Sequence, residues 1–165
     1  MTGPHESLLK KYVELPDRLE AAVAGLTESQ LDLQGDGWSI RSCVHHLVEG
    51  ELIWQLNLRA AAGSDGIDFP MGWYFSQPQE TWAKSWCYDS RPVGPSLDLY
   101  RASTRNLVEF LRLAPPEVWK RSGCVTWPGE FQEQSLSVRD IVLVQIRHLD
   151  GHTADIRSER EANHC

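Results

Sequence analysis

The sequence predicts an all-α domain, a four-helix bundle with long irregular connections between helices 2 and 3 and between helices 3 and 4. Three observations carry that expectation. Four long segments repeat apolar residues at three- and four-residue intervals. Cap and stop residues stand at their ends. A chain of 165 residues fills one such domain, residues 1–165, and is too short for two comfortable ones.

The first helix runs from about His5 to Gly25, with Leu8, Leu9, Tyr12, Leu15, Leu19 and Val23 on one face. Pro16 lies inside it, so a kink or short break is expected there. Thr27 and Gln30 have the spacing of a capping box, which opens a short turn ending at Gly35 to Gly37. The second helix starts with Ser39 as N-cap. Ile40, Cys43, Val44, Leu47, Ile53, Trp54, Leu56 and Leu58 form its stripe, and Gly63 ends it.

From Ser64 to Pro95 the periodicity dissolves, and Gly, Pro, Asp and Ser alternate with seven aromatics. A connection this long is uncommon and often functional. Gln79 to Trp86 reads as a short helix within it. The third helix is expected from an N-cap at Ser96 through Leu113, stopped by Pro115-Pro116. Pro116 to Trp119 reads as another single turn. Arg121 to Gln134 is broken by Gly and Pro, with Val125-Thr126-Trp127 extended as half of a small hairpin. The fourth helix opens at Ser135 or Ser137 and carries Val138, Ile141, Val142, Ile146, Leu149 and Ile156. An up-down-up-down helix order is the simplest arrangement of these parts.

Composition narrows the function classes. The net charge of −7 argues against nucleic acid, since phosphate binding needs clustered Lys and Arg. No run of about 18 apolar residues exists to span a bilayer. The N-terminus lacks the apolar centre of a signal peptide, so a cytoplasmic protein is expected. Cys43, Cys87, Cys124 and Cys165 are widely spaced and read as free thiols.

Four of the six histidines fall in two places: His45-His46 in the second helix, His148 and His152 in the fourth. Residues four apart stack on one helix face, so both fourth-helix imidazoles reach one point. They continue the line Val138, Ile141, Gln145, which is the core stripe. His46 lies on the corresponding line with Cys43, Gly50 and Ile53, while His45 points about 100° away. Inward imidazoles need partners. Either hydrogen bonds within the core satisfy them, or His46, His148 and His152 ligate one metal and leave a coordination position open.

The segment Gly37-Trp38-Ser39-Ile40-Arg41 through His45-His46-Leu47 resembles the signature of the DinB/YfiT-like superfamily. Arg147 to Ile156 resembles that family's closing H-x-x-x-H element. The resemblance covers almost the whole chain, including Tyr12, Pro16 and Leu19. It implies a four-helix bundle, commonly dimeric, in which His46, His148 and His152 bind a divalent transition metal such as zinc or nickel. It also implies a small-molecule substrate, with a thiol-dependent S-transferase or isomerase and a hydrolase both open. The competing class is a non-enzymatic, stress-related module binding a metal or small ligand. Glu49, one turn after His46, is the candidate general base, with a surface ion pair to an Arg as its bland alternative. Gln145 and Asp155 are candidates to support a ligand by hydrogen bonding. Asp155 stands where relatives often carry His or Gln.

Overall fold

A computed structural model describes residues 5–34, 37–127 and 133–165. The expected ends of the short turn at Gly35 and of the hairpin at 128–132 lie outside the described residues.

The first helical segment is two helices, α1 (Glu6–Val13) and α2 (Leu15–Val23). The break falls at Glu14, just before Pro16, which thereby occupies the first turn of α2, where its missing N–H costs nothing. Thr27 and Gln30 form the expected capping box on α3 (Glu28–Leu31). Ser39 caps α4 (Ile40–Gly63), accepting from the Ser42 amide at 3.1 Å.

The connection after α4 is more structured than its composition suggests. It holds a two-residue strand β1 (Ile67–Asp68), α5 (Gly72–Phe75), α6 (Gln79–Ser85) and a 3-10 turn over Tyr88–Ser90. The third long helix, α7 (Val93–Leu113), starts three residues before the expected Ser96. Pro95 is tolerated in that first turn, and Ser96 is a buried partner of His45 instead of a cap. A 3-10 turn (Val118–Lys120) leads to β2 (Ser122–Thr126), β3 (Glu133–Ser137) and α8 (Val138–Ala162). Ser137, and not Ser135, caps α8, in a reciprocal box with Asp140.

The three strands form one sheet in the order β1-β2-β3. β1 pairs parallel to β2, with Ile67 opposite Gly123; β2 pairs antiparallel to β3, with Ser122 opposite Ser137. The sheet closes the end of the bundle where α4 finishes and α8 begins. There Arg121 bonds the Ala62 carbonyl through its guanidinium and accepts from the Val138 amide through its own carbonyl.

The four-helix bundle is as expected, but its helix directions are not up-down-up-down. Pairs between α4 and α7 advance together: His45 meets Ser96, Gln55 meets Ser103 and Arg59 meets Asn106. These helices are therefore parallel. The first helical layer opposes α7, since Glu6 meets Arg112 and Asp17 meets Arg101. It runs with α8, since Arg18 meets Asp150 and Ala22 meets Arg160. The order is up-down-down-up. A two-residue turn could not join parallel neighbours of this length, whereas the extended segment 64–92 has ample reach.

The core runs the length of the bundle through Leu15, Leu19, Val44, Leu58, Leu107, Ile141 and Leu149, each at most 1% exposed. Leu56, expected on the α4 stripe, is instead turned to solvent between Trp54 and Leu58 by the helical rotation. Glu51 is buried among these apolar side chains. Tyr12 donates to it, and Gln55 donates at 3.2 Å. Burial pushes its carboxyl up to about 8 from an ordinary 4.5, so it is protonated at neutral pH. Among the described residues no helix is long and apolar enough to cross a membrane, and all four cysteines are free.

Two outcomes are expected from this packing. A Cβ at Gly123 would lie 2.1 Å from Phe69 Cε1 and 2.8 Å from the Ile67 carbonyl oxygen. Gly123→Ala should therefore cost about 1–3 kcal/mol by denaturant unfolding. For Glu51 the sign follows from a folded-state pKa above the unfolded one. Its stabilisation is complete below pH 4.5 and is lost as pH rises towards 8. Between about pH 6.5 and 8, above the range in which the buried histidines add a slope of opposite sign, urea melts of the wild type should lose stability by on the order of 1 kcal/mol per pH unit. Glu51→Gln should flatten that slope, and an unchanged slope would show that another group carries it.

Candidate metal centre

His46 stands in the second turn of α4, and His148 and His152 occupy successive turns of α8. The two helices are antiparallel, since the α4 start shares a cleft wall with the α8 end. All three imidazoles therefore meet at one depth. Nε2 of His46 lies 3.1 Å from Nε2 of His148. One nitrogen from each of the three residues falls within 4.8 Å of the others. The rings stand nearly perpendicular in pairs, with centroids 4.9–5.1 Å apart. The Trp38 and His46 rings pack at a right angle with centroids 4.5 Å apart, giving the Gly-Trp-Ser segment a direct part in placing a ring of the cluster.

Electrostatics favour the form a metal requires. Burial pushes His46 down to about 3 and His148 to about 4, and repulsion from the neighbouring imidazoles adds to both. Burial also lowers His152, against an opposing pull from Asp155. All three are neutral at pH 7, so their lone pairs are available.

The donor set fits a divalent transition metal. Tetrahedral ligation at about 2.0–2.1 Å separates nitrogens by roughly 3.3 Å, close to the spacing of His46 and His148. The Nδ1 of His152 is enclosed and has no hydrogen-bond partner. Asp155 lies 3.3 Å from it, near enough for attraction but not aligned to accept a hydrogen bond.

The other candidates are placed differently. Glu49 turns to Arg91, with an ion pair of 2.9 Å, and lines neither cleft that reaches the histidines. His45 is fully buried, bonding Ser96 Oγ at 3.0 Å and the Arg91 carbonyl at 3.1 Å. It fastens the start of α7 to α4. Arg41 does comparable work by bonding Asp32, Glu28 and the Arg91 carbonyl. Gln145 is buried one turn before His148, with its amide nitrogen unpartnered.

Two clefts open onto the cluster. One, of about 650 Å³, reaches His46 and His152 and is walled by Trp38, Cys43 and the carboxylates of Glu80, Asp155 and Glu159. The other, of about 470 Å³, reaches His46 and His148. Gln79, at the start of α6, lines both. Its side chain accepts from the Tyr74 hydroxyl at 2.7 Å, which seats it between them. The sequence carried no signal for Gln79, because it lies in a stretch without periodicity.

A helical bundle with three neutral, convergent imidazoles between two clefts defines a protein with a metal-type centre. The chain belongs to the DinB superfamily, whose family profile matches residues 11–156. It is 29% identical over 150 residues to a Geobacillus thermodenitrificans (strain NG80-2) protein, covering 90% of this chain and 79% of that one. A Bacillus pumilus (strain SAFR-032) protein is 24% identical over 154 residues, covering 92% and 82%. Both bear the name "Putative metal-dependent hydrolase". The structure resembles YfiT from Bacillus subtilis, with a TM-score of 0.82 at 19% identity over 95% of this chain and 86% of that one. YfiT is described as a probable metal-dependent hydrolase with an unusual four-helix bundle topology.

The centre predicts that untagged protein takes up one equivalent of zinc or nickel per chain in calorimetric titration. His148→Ala should weaken that affinity by more than the roughly 10–100-fold typical of losing a ligand's supporting hydrogen bond, with the helical circular-dichroism signal kept. Full occupancy in a variant lacking both His148 and His152 would rule out these ligands.

Proposed function

We propose that this protein is a metal-dependent hydrolase of a small molecule, with His46, His148 and His152 as ligands to zinc or nickel. The observation that carries the reading is the convergence of three neutral imidazoles at the junction of two clefts. The names of the relatives support hydrolysis over the thiol-dependent alternatives. Imidazole sets without thiolate or carboxylate suit intermediate cations. Such a cation, held by neutral ligands, keeps its full charge and polarises water or a carbonyl oxygen presented to it.

The chain's own side chains supply the remainder. Trp38 packs against the His46 ring at a right angle, and burial keeps that imidazole neutral. The carboxylates that face the cleft beside His152 are Glu80, Asp155 and Glu159, which are placed to receive protons there. Glu49 is assigned no proton transfer, because Arg91 holds its carboxylate. A homodimer and a cytoplasmic setting are part of the same proposal and rest on the family resemblance and the N-terminal sequence.

The test is a panel of esters and amides with zinc- or nickel-loaded protein, run beside low-molecular-weight thiols with monochlorobimane. Hydrolysis should be abolished by chelation, restored by the metal, and reduced at least 100-fold in His148→Ala, on the scale of losing several kcal/mol of charge stabilisation. Turnover confined to the thiol assay would replace the hydrolase with a thiol transferase. Tight small-molecule binding without either reaction would point to the non-enzymatic module.

A further inference from the structure

The two clefts differ in chemistry, and the difference has a direction. The 470 Å³ cleft beside His148 is walled by Trp54, Tyr74, Phe75 and Trp127, with Gln145 and Arg147 as polar neighbours and no carboxylate among its described lining residues. The 650 Å³ cleft beside His152 has three carboxylates and no Lys or Arg among its described lining residues. Both volumes suit parts of a small molecule. The Trp127 ring stands 5.7 Å from Trp54 and 5.4 Å from Phe75, so the first cleft presents flat apolar faces.

Gln145 adds an independent requirement. It is 3% exposed, lines the aromatic cleft and leaves its Nε2 without an acceptor. A buried amide donor without a partner is costly, and native structures rarely keep one without reason. The Nε2 is itself enclosed, and a ligand carbonyl oxygen in the cleft satisfies it once the Gln145 amide turns towards the cleft.

Resting on the hydrolase reading, we propose that the substrate is an amide joining a flat aromatic acyl group to an amine that carries positive charge. The acyl group lies in the aromatic cleft, with its carbonyl oxygen accepting from Gln145 Nε2. The amine side extends past the histidines towards Glu80, Asp155 and Glu159. In the reaction the oxygen of water bonds to the carbonyl carbon and the C–N bond breaks. The electron pair of that bond and both water protons end on nitrogen, giving a carboxylate and an ammonium ion. Each product then lies in a cleft of suitable character: the ammonium beside carboxylates, the aromatic acid beside Arg147.

The probes are N-benzoyl-1,4-diaminobutane, its N-acetyl analogue and neutral N-benzoylbutylamine. Binding to the metal-free chain is measured by calorimetry and tryptophan fluorescence, and hydrolysis is measured on the zinc- or nickel-loaded chain. The benzoyl diamine should bind at least tenfold more tightly than the acetyl diamine and alter the fluorescence of Trp54 and Trp127. It should also bind severalfold more tightly than the neutral benzoyl probe, and Glu80→Gln with Glu159→Gln should erase that preference. Gln145→Met keeps the volume and removes the orphan donor. It should raise the melting temperature by about 2–4 °C while weakening the benzoyl diamine about tenfold. A purely structural Gln145 would give the thermal shift with unchanged affinity, which overturns the assignment. Equal affinity for benzoyl and acetyl probes overturns it as well. Benzoyl-selective, Gln145-dependent binding with no hydrolysis would keep the recognition and remove the hydrolase. Metal-dependent hydrolysis with equal kcat/KM for acetyl and benzoyl amides would keep the hydrolase and remove the recognition.

Discussion

Because α7 runs parallel to α4, the chain must return along the whole bundle between them, and the site depends on that return. The connection leaves α4 at the sheet and passes Trp54 and Asn57 with Phe69 and Met71. It lays Tyr74 and Gln79 over His46, and reaches His45 with Tyr88 and Arg91. Each step backwards along α4 is matched by a side chain from the connection. An antiparallel neighbour joined by a short turn would leave this face of α4 and α8 uncovered. The clefts would then have no outer wall.

Holding that return in place requires polar groups inside the protein. Arg41 is 5% exposed, and its bonds to Asp32, Glu28 and the Arg91 carbonyl draw two separate segments onto the start of α4. His45, Ser96 and Arg91 do the same for the start of α7. Such buried groups are tolerable because each has its partners. Beside them, the exceptions stand out. Among the described residues, the enclosed side-chain nitrogen and oxygen atoms without a partner are Thr104 Oγ1, Gln145 Nε2 and His152 Nδ1, and the last two belong to residues lining the clefts.

The legible part of the fold is the part written in local periodicity. The stripes of α4, α7 and α8, the Thr27 and Ser137 caps and the inward line through Gln145, His148 and His152 all follow from 3.6-residue spacing. That His46 and not His45 meets them follows from the same rotation. Helix direction is not local, so the parallel pairing of α4 and α7 left no mark in any one segment. Ser96 misled for a related reason: a serine near a helix start satisfies the capping pattern, yet a buried histidine on another helix claims its hydroxyl. β1 is two residues long, too short for alternation to register. Glu49 illustrates the limit for the site, since its spacing from His46 is suitable and only tertiary structure supplies Arg91.

The His46–His148 contact bridges 102 positions of the chain. His148 and His152 are adjacent on any stretch that forms the last helix, whereas His46 joins them only once α4 has docked. Before that docking the last helix offers a cation two nitrogens, and the native chain offers three. Whatever ion prefers the third nitrogen also prefers the folded state, and by mass action it lends the fold stability in proportion to that preference. The ion then behaves as a reversible cross-link closing one of the longest loops in the protein.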